Sequence, residues 1–142
     1  PDLPVKPARN QVFISKPIQN LPLRGCYHHE RGYVYFRNVG PDRLLIGGAR
    51  HLAGTTSETT RFGDNLAIES ILLEYLRDFV QLSDRQHIEI DQSWSGIIAQ
   101  GGKSPIVERR PNGWVFALRM SGMGVALSAQ VAEQAAALVC EI

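Results

Sequence analysis

Cysteine is scarce in this chain, and the two that occur, Cys26 and Cys140, lie near opposite ends. Two thiols so far apart do not make a disulfide framework, so a reducing cytoplasm is the default expectation for its compartment. Long apolar runs are missing as well. No stretch approaches the roughly 20 residues a membrane span requires, and no signal-peptide pattern opens the chain. Charge of one sign is not in excess: 15 basic residues stand against 14 acidic ones, for a net charge of +1. The arginines are scattered instead of gathered into a patch, which argues against nucleic acid or a membrane surface as the main partner. An initiator methionine is also lacking, and Pro1 leads almost at once into a strand pattern. The chain therefore reads as a piece of a longer protein.

What is present suits one domain, 1–142, since 44% apolar residues over 142 positions can fill a single core. The first 51 residues read as antiparallel sheet. Ala8 to Ser15 alternates, with Val12 and Ile14 on one face and Gln11 and Phe13 on the other. Pro17 to Pro22 reads as a loop. Arg24 to His29 and Tyr33 to Asn38 pair around Glu30-Arg31-Gly32, and Leu44 to Arg50 follows a Gly40-Pro41-Asp42 turn. Connections this short favour hairpins. Leu52 to Gly63 is polar and Thr-rich, a surface excursion. Asp64 is placed to cap a helix whose apolar stripe is Ile68, Ile71, Leu72, Tyr75, Leu76 and Phe79. Arg85 to Ser95 alternates again and buries Ile88 and Ile90. Ser104 to Arg109 and Trp114 to Leu118 are short strands around Pro111-Asn112-Gly113, and an alanine-rich helix covers Val125 to Val139. The fold class is α+β: a mostly antiparallel sheet, one amphipathic helix packed on it, and a C-terminal helix.

The most informative stretch is Ser121-Gly122-Met123-Gly124, set between the last strand and the last helix. Glycines there allow close backbone approach, and a helix N-terminus favours an electron-rich group. Two phosphate motifs are excluded. A dinucleotide fingerprint needs a third glycine where Leu127 stands, and in Gly102-Lys103-Ser104 the first glycine of a phosphate loop is replaced by Ile97 while Pro105 blocks the helix. His28 and His29, adjacent on a strand, point to opposite faces and are not a chelating pair, so no metal site is expected. No nucleophile elbow is present, and no side chain stands out as a catalyst. Tyr33, Tyr35 and Arg37 share one strand face, and Arg50-His51 closes another strand where a loop begins. Phenols can confine an organic ligand and a guanidinium can pair with an anion. Amphipathic aromatics on a half-exposed sheet would look the same.

In order along the chain, Pro7-Ala8-Arg9-Asn10-Gln11, Tyr33-Val34-Tyr35, Leu44-Leu45-Ile46-Gly47-Gly48, Trp94-Ser95-Gly96, Pro105-Ile106 and Met120-Ser121-Gly122-Met123-Gly124 resemble the C-terminal half of the flavin-dependent D-amino-acid oxidase, glycine oxidase and sarcosine oxidase family. The resemblance covers essentially the whole chain. It implies an N-terminal FAD-binding half with a GxGxxG loop, which these residues lack, and a substrate domain whose sheet lies over the flavin. It implies oxidation of a C–N bond in an amine or amino-acid-like substrate, with hydride passing to the flavin. It places Gly122, Met123, Gly124 and Val125 against the cofactor through backbone groups, and Tyr35, with Tyr33, Arg37, Arg50 and His51, toward substrate. Family anchors for a substrate carboxylate are replaced by Ile98 and Ala126, so either Arg50, Arg119 or Arg37 holds that anion or the substrate is not a simple amino acid. No cysteine lies where sarcosine oxidase ties its flavin, so FAD would be non-covalent. The other reading is a stand-alone, non-catalytic α+β domain that binds a ligand or a protein. A strand, GxGxxG and helix encoded upstream would distinguish the two.

Overall fold

The computed structural model describes residues 3–79 and 88–140. They form seven strands and two α-helices, in the order β1 (Lys6–Ser15), β2 (Cys26–His29), β3 (Val34–Val39), β4 (Arg43–Gly48), α1 (Leu66–Phe79), β5 (Ile90–Gln100), β6 (Ile106–Arg109), β7 (Val115–Leu118) and α2 (Gly124–Cys140). The chain divides into two compact units, residues 9–97 and residues 1–8 with 98–142.

In the larger unit the strand order is β2-β3-β4-β1-β5. Short turns make β2, β3 and β4 an antiparallel meander, with Phe36 opposite Ile46 and His29 opposite Val34. β1 joins the free side of β4, Phe13 opposite Ile46. Alternation then assigns the faces. Phe13, Val34, Phe36, Leu44 and Ile46 point to one side and are buried there against Ile68, Leu72 and Leu76 of α1. These helical residues recur at four-residue spacing, which is why a single stripe is buried while Glu74, Arg77 and Asp78 stay in solvent. The Phe79 side chain of the expected stripe and positions 85–87 of the expected strand lie outside the described residues.

Two local expectations are corrected, and the Pro17 to Pro22 stretch, a loop as expected, also feeds the core. The cap of α1 is Asn65, not Asp64: Asn65 Oδ1 accepts from the Ala67 N–H at 3.0 Å. Asp64 instead accepts from Ser93 Oγ at 2.7 Å and from Gln11 Nε2 at 3.2 Å. The Pro17 to Pro22 loop contributes to the core, since Leu21 is buried and Ile18 packs against the cluster. A loop flanked by prolines still buries its apolar side chains when the sheet edge offers them a place. Lastly, β5 begins at Ile90 and continues to Gln100, five residues past the expected Ser95.

Gln11 is fully buried and ties these elements together. Its Oε1 accepts from the Asn65 N–H at 2.8 Å, while Nε2 faces Asp64 and, at 3.5 Å, Ser93. One carboxamide on β1 thereby satisfies a backbone donor at the start of α1 and groups from the loop and β5.

In the smaller unit β6 and β7 form an antiparallel hairpin, Glu108 opposite Phe116. Its turn is closed by the Arg110 N–H donating to the Trp114 carbonyl at 2.8 Å. Leu127, Val131, Ala135 and Leu138 form the less exposed stripe of α2, and of these only Val131 is buried. Among the described residues no helix is long and apolar enough to cross a membrane.

Candidate functional site

The sheet face opposite the α1 core carries the candidate substrate residues of the larger unit. Tyr35 sits there because Val34 and Phe36, its neighbours on β3, point into the core. Its ring lies across Gly47, its register partner on β4, and its phenol accepts from Asn10 Nδ2 of β1 at 3.4 Å. The His28 ring stands 6.2 Å away on the same face. His29 points the other way, 5.5 Å from the Tyr75 ring of α1. The two adjacent histidines thus face opposite sides of the sheet. Among the described residues no group of three or more His, Cys, Asp or Glu is placed to hold a metal ion.

Where β3 begins and β4 has ended, three more candidates meet. The rings of Tyr33 and His51 are 4.5 Å apart, and the Arg50 guanidinium carbon lies 5.5 Å from the Tyr33 ring centre. Such a stack of cation on phenol is attractive in itself and fixes the guanidinium plane. Ala49, in the left-handed region at φ 56, is fully buried and donates its N–H to the Tyr33 carbonyl at 2.9 Å. That bond holds the start of β3 beside the end of β4. Arg37 lies on the Tyr35 face but further along β3, at an exposed position opposite Leu45 and Cys26. The structure therefore brings Tyr33, Arg50 and His51 into one cluster, couples Tyr35 to it through charge, and leaves Arg37 at a distance along the strand.

Electrostatics follow the half-burial of this cluster. Burial raises the Tyr35 phenol above its ordinary value, while Asn10 and the Arg50 charge pull it back. Burial lowers the Arg50 guanidinium, and proximity to Tyr33 and Tyr35 opposes that shift. His51 is lowered by desolvation and by Arg50, with Glu30 acting against them. At neutral pH the site presents the neutral Tyr35 phenol, a neutral His51 imidazole and the Arg50 charge, a surface matched to an anionic group beside an organic body.

In the smaller unit the glycine loop leaves β7 with Arg119 at φ 63, Ser121 at φ 51 and Gly122 at φ 93. Arg119 is a clasp: Nε donates to the Ser104 carbonyl at 2.9 Å and an Nη to the Pro4 carbonyl at 3.3 Å. Ser121 Oγ donates to the Gly102 carbonyl at 2.7 Å. Of the three arginines open to an anion, Arg119 is thus committed to holding its own unit. The Met123 N–H donates to the Met120 carbonyl at 2.8 Å, and the Met123 carbonyl receives the first α2 bond, from Leu127 at 3.0 Å. Among the cofactor candidates, Met123 closes the turn with its N–H, whereas Gly124 and Val125 open the helix where amide N–H groups have no intrahelical partner. Val125 is 99% exposed, and nothing lies within 4 Å of where a Gly122 Cβ would stand. The open space at Gly122 and the helix start that follows it suit an electron-rich group.

Sequence reasoning missed Asn10, Gly47 and His28 as members of the Tyr35 neighbourhood. Alternation puts Asn10 on the Val12 and Ile14 face, but only the strand order places β1 within reach of Tyr35 across β4.

The profile of a family described as FAD dependent oxidoreductase matches residues 1–138. Glycine oxidase from Geobacillus kaustophilus is similar in fold at a TM-score of 0.74 and 23% identity, over 97% of this chain and 36% of that one. L-proline dehydrogenase from P. horikoshii is similar at 0.71 and 18% identity, over 99% and 37%. Glycine oxidase from Bacillus cereus ATCC 14579 follows at 0.67 and 17%, over 95% and 36%. The chain thus spans little more than a third of the length of these structures. No curated protein matches it.

Proposed function

This chain belongs to the FAD dependent oxidoreductase family, and we propose that within it these residues form the substrate-binding and flavin-contacting part of an enzyme that oxidises a C–N bond of an amine or amino-acid-like substrate. The observation that carries the reading is the cluster of Tyr33, Arg50 and His51 beside Tyr35 on the sheet face free of α1. It supplies one cation and several aromatic edges, the complement of a small organic acid bearing an amine. The glycine oxidases and the proline dehydrogenase of similar fold have amino acids in their names, which supports that substrate class.

The residues have separate tasks. Arg50 binds and orients the anionic group in place of the absent anchors at Ile98 and Ala126. Tyr33 and His51 hold the guanidinium plane and exclude water from one side of it. Gly124 and Val125 offer amide N–H groups to the electron-rich edge of FAD, held non-covalently. Bound FAD supplies the electron acceptor, so no side chain of this chain is needed as the oxidant.

The test begins with an absorbance spectrum of the purified complete protein, followed by anaerobic addition of amino acids and of uncharged amines. Bound flavin that bleaches with one of these classes is the expected result. A colourless protein that binds no FAD overturns the reading in favour of a non-catalytic binding domain. Arg50→Ala should weaken turnover of carboxylate-bearing substrates by more than about tenfold, sparing flavin content and uncharged amines. Equal losses for both classes would make Arg50 structural.

A further inference from the structure

The Tyr35 phenol oxygen, on the sheet face free of α1, is reached by a side chain from another strand. Asn10 Nδ2 is the donor in that contact, at 3.4 Å, and the Tyr35 oxygen is the acceptor. A phenol that accepts from an amide keeps its own O–H proton available for something else. The geometry that permits this depends on Gly47. A Cβ built at that position would stand 2.6 Å from Tyr35 Oη, 2.7 Å from Cζ and 3.0 Å from the Gln11 carbonyl. Any side chain there displaces the ring, because Gly47 is buried between β1 and β3 and backbone cannot retreat on either side.

We propose that Asn10 and Gly47 are positioning residues that fix Tyr35 as a hydrogen-bond donor to an anionic group, a carboxylate, held on this face. The inference rests on the functional reading above and adds two residues that reading does not use. Asn10 sets the direction of the phenol proton, and Gly47 sets the path of the ring over β4. Arg50 contributes charge to the same place, as its influence on Tyr35 shows. Burial keeps the phenol protonated at neutral pH, so the donor is present wherever the carboxylate is ionised.

The probe is propionate, an anion without an amine, followed by NMR of the protein carrying ring-labelled tyrosine. Tyr35→Phe identifies the Tyr35 signal among the four tyrosines. Propionate should shift that signal saturably, and propylamine should not. Asn10→Asp, whose carboxylate takes the phenol proton and repels the anion, should weaken propionate about tenfold or more. Asn10→Ala should weaken it about threefold and raise the Tyr35 pKa further, a readout that a purely structural role would not move. Gly47→Ala should match Tyr35→Phe in lost affinity and add nothing further in a Tyr35→Ala background. Absence of saturable propionate binding, or unchanged affinity in the Asn10 and Gly47 variants, overturns the proposal. Because the signal comes from tyrosine, the outcome is separate from that of the flavin test. Propionate bound at Tyr35 in a protein without flavin would keep the seat and defeat the enzyme. A flavoenzyme that ignores propionate would do the reverse.

Discussion

Gly122 and Gly124 look alike in the sequence and behave differently in the structure. Gly122 sits at φ 93, whereas Gly124 has no positive φ and its Cβ would meet only Met120 Sδ at 3.9 Å. Gly122→Ala should therefore cost about 1–2 kcal/mol in denaturant unfolding, while Gly124→Ala, at the first turn of α2, should be neutral or stabilising by up to about 1 kcal/mol. The motif announced a turn, but which glycine takes the left-handed conformation depends on Arg119 and Ser121, whose own positive φ values no composition rule foretells. His51 gives the second residue-scale test. Its native pKa lies below the ordinary 6.5, chiefly through desolvation. Between those two values the unfolded chain holds more protons than the native one, so stability falls as pH drops below 6.5 and is unaffected above it. NMR titration of His51 should place it below 6.5. Glu30→Gln, which removes the opposing charge, should lower it further, and an upward move would contradict the assignment.

The elements were legible where periodicity is strong and partners are near in sequence. The α1 stripe, the meander and the last hairpin all follow from spacing. The Gln11 network does not, because a glutamine on an alternating strand resembles a solvent-facing residue, and its partners Asp64, Asn65 and Ser93 lie far along the chain. Gln11→Leu should cost about 1–3 kcal/mol by leaving the Asn65 N–H and Asp64 without their buried partner. Asn65→Ala should cost about 1 kcal/mol through loss of the α1 cap, and Asp64→Ala less than Gln11→Leu. An Asn65→Ala variant with unchanged stability in chemical unfolding would overturn the assignment of the cap. The cluster of Tyr33, Arg50 and His51 was half visible. Each residue stood out singly, yet the stacking that joins them requires the register that sets the start of β3 beside the end of β4.

At the level of the whole molecule, the order of weak motifs along the chain carried the family, and that order survives because each motif belongs to a different element of one topology. The two compact units could not be read this way, since β1 and β5 each run from one into the other without a break in their patterns. These 142 residues hold no GxGxxG loop, so purified alone they should retain no stoichiometric FAD, and a yellow product would show otherwise. The passage of the Tyr35 ring over Gly47 has a consequence in evolutionary time. Among relatives, positions 35 and 47 should change together: a ring at 35 should occur with glycine at 47, and lineages with a bulkier residue at 47 should carry a smaller one at 35. The crossing of two strands would then be recorded as a correlated pair of columns in an alignment.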